Sequence, residues 1–274
     1  MLSVIQSIEC GEIIENRIDI TSELVARFKD NWNLLVHNNF FQPRFALPFY
    51  HLVKNSGNFW HLQTIPGKEI LLTGSFSVKS FAQLKEAVAY AYFDEALFAL
   101  LAVAETREIF YSFLFKIYFP SRQINSTELP LFAKYASQIL HDTAALYKKG
   151  IEAADEEEIF IRCGVFKKVM PQIYGNACSI SGMRIISGYN IQMIDACHIV
   201  PFAISHDDTI SNGIFLSPNL HRAFDRGLLA IDDDYRVIIS SGFTEDISPK
   251  SLKMFAGKRI QLPEKEKYRP LIDN

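Results

Sequence analysis

The sequence predicts an α+β protein in two parts, and three observations carry the prediction. The chain has 274 residues, enough for two domains of ordinary size. Between Glu23 and Lys149 apolar side chains recur mostly at helical spacing. Beyond Lys168 that period weakens, and Gly, Ser, Asn and Asp become frequent, as they do where short strands are joined by turns. The expected division is residues 1–155, mixed helix and strand, and residues 156–274, holding a strand–loop–strand–helix unit. The character of the chain changes over 150–165. At 49% hydrophobic and 22% charged, the composition is that of a globular protein and too apolar for a wholly disordered one.

The elements follow in order. Met1–Asn16 lacks a basic start and a long apolar stretch, so it does not read as a secretory signal. Thr21 or Ser22 caps a helix over Glu23–Val36, with Leu24, Val25, Phe28, Trp32 and Leu35 as its buried stripe. Asn38–Leu72, with its prolines, its Asn-Ser-Gly-Asn turn and alternating aromatics, predicts short strands and loops. Ser80 and Gln83 form a capping box, and Phe81, Leu84, Val88 and Ala91 share one face of the helix that follows. Asp94 opens a second helix. A third runs over Glu105–Phe119, with Ile109, Phe110, Phe113, Leu114 and Ile117 at helical spacing, and Pro120 stops it. A fourth spans Pro130–Lys149 and ends at Gly150. The acidic run Asp155–Glu158 fits either a linker or the first turn of a helix.

Composition narrows the function classes. The longest unbroken apolar run, Ala96–Ala104, is far short of the ~20 residues of a membrane helix. Four cysteines without a CxxC pair provide neither a disulfide framework nor a closed zinc site, and Cys163 and Cys178 lack a second ligand pair. Reduced thiols and cytoplasmic residence follow as the expectation. Residues 1–150 carry 14 basic and 14 acidic side chains, and residues 151–274 carry 14 and 17. Neither part has the basic excess of an indiscriminate nucleic-acid binder, so contact with DNA would require a local patch.

The residues that carry chemistry lie in Cys178–Ser240. An apolar strand over Ile191–Ile199 delivers His198 to its end, and Pro201 breaks it. A polar loop containing His206, Asp207 and Asp208 reads as solvated. Asn212-Gly213 is a turn signal, Ile214–Leu216 a short return strand, and Ser217 or Asn219 the cap of a short helix that Gly227 terminates. On that helix His221 and Asp225 stand four apart, on one face, where both reach one cation. The run beginning at Asp232 is a turn followed by a further strand.

This succession resembles the HNH nuclease family, whose core is a ββα-metal finger. It is closest in pattern to the subgroup of bacterial restriction endonucleases with a C-terminal HNH domain. The pieces are Cys178-Ser-Ile-Ser-Gly182, His198-Ile-Val-Pro201, Asn212-Gly-Ile-Phe-Leu216 and His221-Arg-Ala-Phe-Asp225-Arg-Gly227. Asn212 follows His198 by 14 positions and His221 follows Asn212 by 9, spacings that fit the family. The resemblance implies an endodeoxyribonuclease in which His198 is the general base, His221 a metal ligand, and Asn212 the residue that holds the loop and orients His198. Asp225 completes the metal site or orients His221. Many members place Asp or His before the base; here that position is Cys197, which is either a ligand or a packed core residue. Asp195, on the same strand face, is the substitute carboxylate. The implied cofactor is a divalent metal ion, Mg²⁺ or Mn²⁺ first, with Zn²⁺ or Ni²⁺ as the softer alternatives that a thiolate would favour.

Targeting then falls to residues 1–155 as a DNA-recognition domain. Phe45–Leu62 resembles a signature in N-terminal domains of HNH restriction enzymes and, more loosely, sulfur-binding domains that recognise phosphorothioate DNA. Arg44 and His51, and Arg222 beside the finger, are candidate phosphate contacts, and Tyr50 and Trp60 candidate stacking surfaces. Arg122 is expected on an exposed loop. The implied partners are double-stranded DNA, modified by methylation or phosphorothioation in one version, and a second copy of the chain, since a double-strand break needs two fingers. Two other readings fit the same residues: an effector or toxin nuclease activated by a ligand or partner, and a DNA-binding protein with a degenerate finger.

Overall fold

A computed structural model describes residues 1–36, 40–55, 57–68, 78–120, 129–185, 192–246, 248 and 251–272, without the side chains of Lys54 and Asn55. Arg122 lies outside the described residues. The fold is α+β, helices with small antiparallel sheets. It forms two compact units, one of residues 1–134 with 154–161, the other of 135–153 with 162–274. Among the described residues no helix is long and apolar enough to cross a membrane.

The first unit contains α1 (Leu2–Glu9), β1 (Ile18–Asp19), α2 (Ser22–Leu35), α3 (Ala46–Asn55), β2 (Trp60–Thr64), α4 (Phe81–Ala87), β3 (Val88–Phe93), α5 (Glu95–Ala102) and α6 (Ala104–Tyr118). The strands form one antiparallel sheet in the order β1-β3-β2. Thr21 caps α2 by accepting from the Leu24 amide. Two expectations are corrected. The segment expected as strands and loops contains α3, because Phe45, Phe49 and Tyr50 bury on one helical side. Pro48 falls in its first turn, where a missing N–H goes unused. The helix expected through Ala91 ends at Ala87, because Val88–Phe93 pairs with β2, Trp60 opposite Phe93 and Leu62 opposite Ala91. Cross-strand pairing of β-branched and aromatic residues overrides the helical spacing.

The acidic run forms the first turn of a helix over Glu156–Ile173, with Asp155 and Glu156 exposed. Glu157 is buried, and its carboxylate accepts from the amides of Phe45 and Ala46 at 3.1 and 3.2 Å, capping the start of α3. Helix α6 forms as expected, yet Ile109, Phe113 and Ile117 on it are exposed.

The second unit draws on α7 (Leu131–His141), α8 (Ala144–Glu152) and α9 (Glu156–Ile173). The single helix expected over Pro130–Lys149 is broken at Thr143, which caps α8. Then come β4 (Asp195–His198), α10 (Phe202–Ser205), β5 (Gly213–Leu216), α11 (Pro218–Asp225), β6 (Leu229–Ile231) and β7 (Val237–Ile239). Antiparallel β4 and β5 pair Asp195 with Leu216 and His198 with Gly213. Helix α9 backs this hairpin: Tyr174, just past its end, stacks on Phe215 and donates to the Gly213 carbonyl at 3.1 Å.

Candidate active site

Each end of β4 carries one group of polar side chains. At its C-terminal end the His198 ring lies flat on Phe166 of α9, with centroids 4.5 Å and planes 9° apart. Its Nε2 is 2.7 Å from Oδ1 of Asp208, whose side chain is 0% exposed. A carboxylate only accepts, so His198 Nε2–H donates to Asp208, and a neutral ring held this way keeps its lone pair on Nδ1. Asp208 and Asp207 correct the expectation of a solvated loop: both are buried, while His206 stays exposed. The loop folds inward, with Asp207 accepting from the Thr209 amide at 2.7 Å.

Asn212 closes that loop from inside. Its side-chain nitrogen donates to the carbonyls of Val200 and Asp207 at 3.0 and 2.8 Å, and its oxygen accepts from the Val200 amide at 2.8 Å. This ties the segment just after His198 to the segment that carries Asp208. Asn212-Gly213 is not a hairpin turn. Asn212 ends a 3₁₀ turn and Gly213 opens β5 with φ −115°. Glycine is needed there because α9 passes so close: a Cβ would sit 2.7 Å from Met170 Sδ and 3.0 Å from the Phe166 ring. The Cys178–Gly182 turn is closed by the Gly182 amide on the Cys178 carbonyl at 2.8 Å, and the Cys178 sulfur accepts from the amides of Ser181 and Ser217 at 3.5 and 3.3 Å.

At the other end of β4, α11 brings His221 to Asp195. Nδ1 lies 3.1 Å from Asp195 Oδ2, and Nε2 lies 3.2 Å from Asp225 Oδ2, one helical turn on. These side chains are 27%, 44% and 55% exposed, in contrast to Asp208. Cys197 packs as a core residue. It is buried, and burial first, then the charges of Asp195 and Asp225, push its thiol well above the usual range. A neutral, enclosed thiol does not bind a hard cation.

The residues fit a divalent cation in one way. The two nitrogens of an imidazole diverge, so a single ion meets only one of them. His221 Nε2 and Asp225 Oδ2 are spaced close to the roughly 3 Å between neighbouring ligands of an octahedral ion with bonds near 2.1 Å. Asp195 would then be the carboxylate that fixes the ring through Nδ1–H, rather than a ligand. Among the described residues no three His, Cys, Asp or Glu side chains converge as a ready-made cage, and no hydrogen bond or ion pair joins the His198 group to the His221 group.

The candidate DNA contacts divide. Arg222 is exposed on α11, beside His221, and Arg44 is exposed in the first unit, its guanidinium on Gln42. His51 is half-buried against Tyr50. Tyr50 and Trp60 are corrected to core: they are 4% and 1% exposed, and Trp60 donates to the Phe49 carbonyl at 3.0 Å. An aromatic side chain with no free face cannot stack on a base.

Sequence reasoning missed Asp208 and Phe166. For neither was there a signal in the local pattern, since Asp208 meets Tyr147 and Phe166 meets His198 across long stretches of sequence.

Comparison with known proteins gives three findings. Residues 178–232 match the HNH endonuclease family. A modification-dependent restriction endonuclease, TagI, of solved structure is 29% identical over 28% of this chain and 27% of its own, with a TM-score of 0.26; the alignment thus spans about a quarter of that relative. No curated protein matches. The segment that holds His198, Asp208, Asn212, His221 and Asp225 is therefore an HNH endonuclease domain.

Proposed function

We propose that this chain is a divalent-metal-dependent DNA endonuclease of the restriction type that hydrolyses phosphodiester bonds at the HNH domain, with His198 as general base. The observation that carries the proposal is the fixed orientation of His198: Nε2 is held by a buried carboxylate, which leaves Nδ1 to accept a proton. Nδ1 takes a proton from water, the water oxygen bonds to phosphorus, the bond from phosphorus to one sugar oxygen breaks, that oxygen leaves and takes a proton from solvent water, and Nδ1 returns its proton to solvent. Asn212 keeps the base at the end of its strand. His221 and Asp225 would hold the cation, Asp195 would orient His221, and Arg222 would meet a neighbouring phosphate. HNH nucleases are generally metal-dependent, and a bound divalent ion supplies charge stabilisation at the phosphate and the leaving oxygen.

The substrate in this reading is double-stranded DNA, the first unit supplies recognition, and two copies act together so that both strands are cut. The test is digestion of plain, methylated and phosphorothioated plasmid with Mg²⁺, Mn²⁺ or Ni²⁺, using the wild-type chain and His198→Ala. Cleavage by the wild type alone supports the proposal, and preference among the three DNAs identifies the modification. Equal cleavage by both removes His198 from the reaction. Tight DNA binding without cleavage under every metal would make the chain a binder with a degenerate finger.

A further inference from the structure

We infer that Tyr147 and Arg162, outside the HNH-matched segment, are positioning residues for the base, acting through Asp208; this rests on the reading of His198 given above. Helix α8 places Tyr147 with its ring 1% exposed and its hydroxyl 3.2 Å from Asp208 Oδ2. Burial and the charge of Asp208 push the phenol well above its usual range, so it remains a hydrogen-bond donor. Arg162, on α9 and 4% exposed, lies over the ring faces of Tyr135 and Tyr147, at 4.1 and 5.0 Å from their centroids. Among the described residues Nε and Nη1 of Arg162 have no hydrogen-bond partner, so the guanidinium meets Tyr147 through the ring face. A buried chain therefore runs from Arg162 to Tyr147 to Asp208 to His198.

The chain has a physical purpose at each link. A carboxylate with no solvent contact is costly unless it is hydrogen-bonded and near a positive charge. Tyr147 supplies the bond and Arg162 the charge. Asp208 has two oxygens, and Tyr147 on Oδ2 leaves Oδ1 for His198 Nε2. Phe166, one turn after Arg162 on the same helix, supplies the flat surface on which the imidazole lies. The base is thus set by α8 and α9 as well as by the hairpin that carries it, so the functional nuclease module begins upstream of residue 178.

The test uses the full chain labelled with ¹⁵N-histidine, compared as wild type, Tyr147→Phe, Asp208→Asn and Asp208→Ala, with His198→Gln identifying the signal. In alkaline buffer the wild-type His198 ring is expected as the Nε2–H tautomer. Asp208→Ala is expected to give mixed tautomers, and Asp208→Asn, which keeps an acceptor, to restore part of the preference. Tyr147→Phe keeps the ring under Arg162 and removes the donor. It is expected to shift the tautomer ratio and lower kcat about tenfold, the lower end of the usual effect of an outer-shell partner, with KM unchanged. An unchanged tautomer in Tyr147→Phe overturns the inference, whatever Asp208→Ala does. Because the NMR readout needs no turnover, an inactive wild type would count against the proposed activity without touching this result.

Discussion

The two ends of β4 are built on opposite principles. The His198 end is closed: a fully buried carboxylate on one nitrogen, a phenylalanine face beneath the ring, and an asparagine knotting the loop behind it. The His221 end is open: an imidazole between two carboxylates, all three in contact with solvent. A base must be oriented before substrate arrives, because a fixed lone pair makes proton transfer a matter of geometry. An ion site must admit a hydrated ion and a phosphate, so its ligands stay accessible. On the proposed roles, the hairpin and α11 divide the work, rigidity at one end of β4 and access at the other.

Substitutions break that division in descending order of effect. His198→Ala removes the base and is expected to reduce cleavage by about 10²–10⁴-fold in single-turnover assays. Asn212→Ala opens the closed end. It leaves the Asp207 carbonyl and the Val200 amide without the Asn212 side chain, while Ser205 Oγ still reaches the Val200 carbonyl, and is expected to lower unfolding free energy by about 3 kcal/mol in a denaturant titration. At the open end, Asp225→Asn is expected to weaken Mn²⁺ binding by about 100-fold and Asp195→Asn by about tenfold. The reverse order would make Asp195 the ligand and Asp225 the orienting group. Arg222→Ala should do least: a uniform loss of DNA affinity, with the slope of log affinity against log salt reduced by about one.

The sequence showed the hairpin, its helix and their four central residues because that information is local. His198, Asn212, His221 and Asp225 lie at short spacings on elements with a clear period or turn chemistry. What stayed hidden depends on distant packing. Asp208 is buried because Tyr147, 61 positions away, comes to meet it, and nothing near an apparently polar loop announces that. Gly213 looked like a turn glycine, whereas α9 leaves no room for a Cβ. Tyr50 and Trp60 looked like stacking surfaces because aromatic residues serve cores and nucleic acids alike, and only burial distinguishes the two. The strand β3 was hidden behind helical spacing that its partner strand overrode.

The central claim is that base and ion occupy separate ends of one strand, and a Mn²⁺ titration of His198→Ala, with cleavage followed in the same samples, tests it most directly. Ion affinity within twofold of the wild type, together with lost cleavage, is the expected result. Ion affinity that falls along with cleavage, or cleavage that persists, would contradict it.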